Sequence, residues 1–159
     1  ASQVIAFSAI FGVLGTVLAG WLSDTLFKSD RVKPAILSGI LSSLSLFLFL
    51  FVGGGFVMNI FYVSLFSLSV GVLYCIVAGL MAVDIVPRKA TGAALGVVGI
   101  SSYIAAGLQD IISGYLIQGY TQLVDGVDTY NFTPVSWFWA AASIISFVLP
   151  VLNWKKMKK

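Results

Sequence analysis

Asp110 is the most chemically consequential side chain in this sequence, because it is the only charge inside any of the long apolar runs. An Asp at mid-bilayer costs about 2.5–3.5 kcal/mol on insertion scales, so such a residue normally faces a cavity or a partner. Helical rise puts Asp110 roughly 28 Å beyond Thr91, in the outer part of a bilayer, where that cost is smaller. Both an acid lining a watery path and an interfacial acid reaching outer water fit this position. Tyr103 lies roughly 18 Å along the same helix, near mid-membrane, where its hydroxyl needs a partner. That partner is either another helix or a pocket occupant. Gly96, Gly99, Tyr103, Ala106, Asp110 and Ser113 recur every three or four residues and share one small, polar face. Val97, Ile104, Leu108, Ile111 and Tyr115 form an apolar stripe roughly 120° around the helix. The first stripe suits a protein interface or a cavity, and the second suits lipid or packed neighbours. Gln109 adjoins Asp110 but lies about 100° off its face and ranks lower. Tyr74, in the preceding apolar run, reads first as packing and only second as part of a pathway.

Much chemistry is excluded by composition. The chain has no His, and its six acids are all Asp. Its single Cys75 allows neither an internal disulfide nor a Cys-rich metal site. No Ser-His or Cys-His pair and no histidine-ligated zinc can form, so an enzyme is the weakest reading and no cofactor is expected. Of 159 residues, 59% are hydrophobic and 9% charged. A soluble domain carries about 25% charged residues. The net charge of +3 is too small and too localised for nucleic-acid binding.

The elements positioning these residues are expected to be five transmembrane helices of an all-α membrane protein, over about residues 3–22, 34–52, 56–83, 91–118 and 134–153. Residues 23–33 and 119–133 read as polar loops. Pro34 and Pro134 suit first helical turns, Gly53-Gly54-Gly55 a tight turn, and Thr91 a helix cap. With these spans all nine basic residues fall on one face: Lys28, Arg31 and Lys33, then Arg88 and Lys89, then the four tail lysines. The opposite loops hold only Asp125 and Asp128. Basic loops stay cytoplasmic, which puts the C-terminus inside and Ala1 outside. The chain enters a span at once from Ala1, so the expectation is the C-terminal piece of a larger protein. Asn131-Phe132-Thr133 matches a glycosylation sequon, which the following Pro134 makes a chance match.

Two stretches carry a recognisable pattern. Gly20-Trp21-Leu22-Ser23-Asp24-Thr25-Leu26-Phe27-Lys28-Ser29-Asp30-Arg31 places Gly-x-x-x-Asp at a helix end with cations after it. Gly20 would let backbones approach, and Asp24 would accept from a helix N-terminus or pair with a cation. Gly12, Thr16 and Gly20 repeat every fourth residue as a small face for helix contact. This loop resembles the signature of major facilitator transporters between helices eight and nine. Thr25 replaces the usual basic residue there, and Phe27 the usual Gly. The form is closer to the organophosphate:phosphate antiporters. The second stretch, Asp84-Ile85-Val86-Pro87-Arg88-Lys89-Ala90-Thr91-Gly92, leading into Gly96-Val97-Val98-Gly99 and Ser102-Tyr103, resembles the loop between their helices ten and eleven.

The resemblance implies helices eight to twelve of a twelve-helix fold, the missing partner being helices one to seven of the same protein. It implies a secondary transporter of a bacterial inner membrane, exchanging a phosphorylated small molecule such as glycerol 3-phosphate or a hexose phosphate for inorganic phosphate by alternating access. Gly20, Asp24, Lys28, Arg31, Arg88 and Lys89 would belong to the gating loops. Tyr103 matches a substrate-pocket tyrosine of the glycerol-phosphate members. Asp110 stands where hexose-phosphate members carry a selectivity lysine, which argues against an identical substrate preference. The family's tyrosine in the helix of Tyr74 falls at a nearby but different position. Its phosphate-binding arginines, on helices one and seven, lie outside this chain. A sugar-phosphate sensor of the same fold and a non-transporting membrane scaffold subunit are the alternatives.

Overall fold

The computed structural model describes residues 2–27, 30–84, 86–124 and 127–152. Five long helices carry the fold: α1 (Ser2–Trp21), α2 (Val32–Phe47), α3 (Phe56–Leu73), α4 (Thr91–Gly119) and α5 (Thr133–Leu152). The first three continue into wider π-helical turns, Leu22–Leu26, Leu48–Val52 and Tyr74–Met81, and a last turn, Ala82–Asp84, ends the third run. Among the described residues, the runs Gln3–Leu26, Val32–Val52, Phe56–Asp84 and Arg88–Gly119 are long and apolar enough to cross a membrane. The 20 residues of α5 add about 30 Å of helix, one bilayer thickness. This is an all-α integral membrane protein, and its natural surroundings are lipid.

Helix α1 runs parallel to α3, pairing Gly12 with Ser67 and Gly71, and Gly15 with Leu68. A Cβ on Gly15 would strike the Leu68 carbonyl, and one on Gly71 the Gly12 carbonyl. Small residues drive this contact, because lipid tails remove the hydrophobic incentive for helices to associate. α2 packs against the same α3, and α5 runs antiparallel to α2. Ser43 and Ser143 share a 2.8 Å hydrogen bond there, and Phe51 lies 4.5 Å from Trp137 between ring centres. The interior is correspondingly rich in hydroxyls. Ser38, Ser42, Ser45, Ser64 and Ser69 are buried along α2 and α3. Ser42, Ser45 and Ser69 donate back to the carbonyls of Gly39, Leu41 and Leu65. Ala19, Val72 and Ile76 form the buried apolar cluster beside the wide turns.

Several sequence expectations change. Residues 23–26 continue the first helix, where Thr25 donates its hydroxyl to the Trp21 carbonyl. Thr91 does not cap α4: the 3₁₀ turn Arg88–Ala90 runs straight in, with Ala90 at the cap position and no side-chain cap bond. A Cβ on Gly20 would meet nothing within 4 Å among the described residues, and the close approach belongs to Gly15 and Gly71 instead. The 119–133 loop holds a short antiparallel ribbon, β1 (Gln122–Val124) with β2 (Val127–Thr129), in the register Leu123 to Asp128. Gly53 has φ +62°, a conformation L side chains rarely adopt, and it turns the chain between α2 and α3 as expected. Asn131 accepts the Thr133 amide at 3.0 Å, so the sequon asparagine starts α5.

Candidate functional site

α4 is packed unlike the other helices. It touches the wide turn Tyr74–Met81 near its start and α5 near its end, and of its described side chains only Ser113 is buried. Ser113 accepts the Trp139 indole N–H at 2.9 Å. Neither the small stripe nor the apolar stripe of α4 is otherwise covered, and Val97, Ile104, Leu108, Ile111 and Tyr115 all remain exposed. The small stripe meets a neighbouring helix at Ser113, and the apolar stripe is left uncovered by the described residues.

Between the wide turn and α4 lies an open cleft of about 430 Å³, lined by Tyr74, Ala78, Leu95, Val98, Gly99, Ser102, Tyr103 and Ala106. Two expected pathway residues meet here. Tyr103 is 83% exposed, and no described residue takes its hydroxyl. Tyr74 is 69% exposed and lines the same cleft. The wider π winding starts at Tyr74, and the turn stays packed against α1 through Ile76 and Ala19. A second crevice of about 430 Å³ shares Tyr74, Ala78 and Leu95 and reaches Thr16, Cys75, Gly79 and Leu80. The walls combine apolar side chains with two phenols and a hydroxyl, Ser102, which itself donates to the Val98 carbonyl. They offer shape and hydrogen bonds to an occupant, with no fixed charge among the lining residues.

Asp110 and Gln109 are exposed on α4 beyond the cleft and do not line it; Ala106, one turn earlier than Asp110, is its last lining residue. At the opposite end the loop residues gather. Arg31 donates from Nε to Asp84 and forms an ion pair, joining the stretch after the first helix to the end of the third run. Lys33 pairs with Asp30 at 3.2 Å, and Asp30 also accepts the Val32 amide at 3.2 Å. Burial pushes the Asp30 carboxyl up, but the Lys33 ammonium and the Val32 and Lys33 amides outweigh it and hold the group below 3.8. Asp24 is exposed on the last helical turn, with no ion-pair partner among the described residues. Ser23 beside it is fully buried, its hydroxyl without a hydrogen-bond partner among them. Arg88 and Lys89 are exposed in the turn before α4. Lys28, Asp125 and the tail lysines lie outside the described residues.

The Arg31–Asp84 contact was not foreseen, although the two residues anchor the two stretches singled out in the sequence. Only the expectation that both loops share one end of the bundle pointed toward it. Ser113, Trp139 and the lining by Ala78, Leu95 and Val98 were missed as well. Small and apolar residues carry no individual signal in a sequence that is mostly apolar.

Comparison with known proteins adds two relatives. A glycerol-3-phosphate transporter of Bacillus subtilis (strain 168) is 30% identical over 151 residues, which cover 93% of this chain and 31% of the relative. A phosphoglycerate transporter protein of Salmonella typhimurium (strain LT2) is 31% identical over 122 residues, 70% of this chain and 25% of the relative. The chain thus spans about a third or less of the curated relatives it matches. No family model matches, and no solved structure matches.

Proposed function

We propose that this chain forms helices eight to twelve of a major facilitator transporter that exchanges an organophosphate for inorganic phosphate by alternating access. The observation that carries the reading is the cleft in which Tyr74 and Tyr103 meet, open on the side that the chain itself leaves unpacked. Such a cleft is one wall of a path between two helical bundles. The relatives' names support a three-carbon phosphorylated substrate, glycerol 3-phosphate or a phosphoglycerate.

In this mechanism the two phenols orient the organic part of the substrate, while the phosphate is held by cations from the other bundle. Bidentate guanidinium pairing suits that task. Helices one to seven of the same protein supply those cations and close the far side. Rocking of the two bundles exposes the cleft to each face in turn. The cation-rich end faces the cytoplasm of a bacterial inner membrane, with the C-terminus on the same side. Arg31 and Asp84, with Asp24, Lys28, Arg88 and Lys89, form this half's share of the inner gate.

The test is exchange of labelled phosphate across liposomes containing the complete protein, against glycerol 3-phosphate, phosphoglycerates and hexose phosphates. Saturable exchange with one of them is expected, weakened severalfold by Tyr103→Phe or Tyr74→Phe. Tight binding without flux would replace the transporter by a sensor of the same fold. Neither binding nor flux would overturn the assignment.

A further inference from the structure

The third apolar run changes winding in its middle. Phe56–Leu73 is α-helical, Tyr74–Met81 is wound as a π-helix, and Ala82–Asp84 returns to α. A π-helix closes i→i+5 instead of i→i+4 bonds, is rare, and concentrates at functional sites. A stretch of this kind takes up about one extra residue, which offsets everything beyond it by about 100° from a continuous α-helix.

That offset decides what the end of the run can touch. Ile76 is fully buried with Ala19 and Val72 and fixes the orientation of the run about its axis. In a continuous α-helix Met81 would stand about 140° around the axis from Ile76, and Asp84 about 80°. One extra residue brings them to about 40° and about 20°. Met81 does pack on the cluster of Ala19, Val72 and Ile76, and Asp84 pairs with Arg31. Arg31 lies one turn before Ala35, which packs on that same cluster. Both contacts therefore depend on the wide winding, and both are made within this chain. The opposite face of the turn carries Tyr74 and Ala78, which line the cleft.

We propose that Tyr74–Met81 is a register joint with two settings, wide while Arg31 holds Asp84 and α-helical once that pair opens. Release swings Asp84 away from Arg31 by about 100°. Ala78, in the middle of the turn, moves part of that way relative to Tyr74 and Ile76. Opening at the loop end thereby reshapes one wall of the cleft. Gly79 leaves room for the change, since a Cβ there would meet nothing within 4 Å among the described residues. The Asp84 side chain is 53% exposed, so its pair with Arg31 biases the winding without locking it. An exposed pair shifts such an equilibrium by up to about fivefold. The joint itself stands apart from the transport reading, and only its use as a link between inner gate and cleft rests on that reading.

Hydrogen–deuterium exchange of the complete protein in detergent reads the joint peptide by peptide and requires no flux. Breaking an ion pair ordinarily speeds exchange nearby. Here the opposite is expected: Arg31→Gln and Asp84→Asn should each slow exchange over residues 74–81, by up to about fivefold, as i→i+5 bonds give way to α-helical ones. Lys33→Gln, which removes the pair with Asp30, should leave that stretch unchanged. Deleting Gly79 takes out the extra residue and should give the slow exchange by itself, with no further slowing from Arg31→Gln. Unchanged or faster exchange over 74–81 in either Arg31→Gln or Asp84→Asn would overturn the proposal. So would slowing of equal size in Lys33→Gln. The two point variants decide alone if the shortened chain does not fold. Phosphate exchange by the unsubstituted protein decides the transport reading separately, so failure of one leaves the other standing.

Discussion

Asp30 shows how a single carboxylate ties stability to pH at the loop end of the bundle. Its desolvation is outweighed by Lys33 and the Val32 amide, so the folded chain holds this proton more weakly than the unfolded chain does. The contribution to stability is present above the ordinary value of 3.8 and disappears as pH falls through the lowered folded value. Asp30→Asn should therefore lower Tm near neutral pH, and the gap to the unsubstituted protein should close below about pH 3.8. The loss stays below about 1 kcal/mol, because Lys33 is largely solvated. A gap that persists unchanged into acid would show that the pair contributes nothing. Arg31 and Asp84 make a different statement, since they join segments 53 residues apart. Crossing Arg31→Gln with Asp84→Asn in a double-mutant cycle should yield a coupling of about 0.2–1 kcal/mol, and strict additivity would deny the contact. Asp110 belongs to the same scale but to function. Within the proposed path it lies one turn past the last lining residue of the cleft, so its charge acts on an occupant at a distance. Asp110→Asn should shift the preference among phosphorylated substrates while leaving expression intact, and unchanged transport of all of them would remove it from the path.

Among the elements, the contact between α1 and α3 gives the sharpest contrast. A methyl group on Gly71 would be driven against the Gly12 carbonyl, while one on Gly20 would meet nothing within 4 Å among the described residues. Gly71→Ala should cost about 1–3 kcal/mol by forcing the helices apart. Gly20→Ala should be neutral in stability and even favour the helix slightly. Equal effects at the two sites, read from thermal unfolding in detergent, would contradict the packing. This pair also marks what the sequence could and could not reveal. Helix positions were legible because a span of about twenty uncharged residues has few alternatives in lipid. The contact register was not, since Gly12, Gly15, Thr16, Gly20 and Gly71 are all small, and only three-dimensional approach selects among them. The continuation of α1 through Leu26 hid behind polar Ser23, Asp24 and Thr25, whose side chains favour loops until Thr25 turns back onto Trp21. The β1–β2 ribbon did have a local sign in the sequence, the pair Asp-Gly between two short mixed segments, which is common in hairpin connections. The place of Tyr74 beside the cleft had no local sign, because a tyrosine on an apolar helix looks alike whether it fills a core or borders a cleft.

At the scale of the whole molecule, charge and cavity lie apart. The described cations Arg31, Lys33, Arg88 and Lys89 all belong to the end where α1 and the third run finish and α2 and α4 begin. The cleft runs from Leu95 to Ala106, roughly 6–22 Å along α4, and none of its lining residues is charged. A phosphate monoester carries nearly two negative charges, and two phenols with one serine cannot replace its hydration shell. Desolvating such a group without a paired cation costs several kcal/mol. Within the proposed mechanism, then, this chain shapes and selects while the other bundle neutralises, and neither half is competent alone. The 159-residue chain, produced by itself and reconstituted, should insert as a helical membrane protein and catalyse no phosphate exchange. Co-production with the remaining helices of the same protein as a separate polypeptide should restore exchange. The comparison to make is labelled-phosphate uptake by liposomes holding the chain, the complementary piece, or both. Exchange by the chain alone would mean that a phosphate is held without midplane cations, and the division of labour between the two bundles would have to be abandoned.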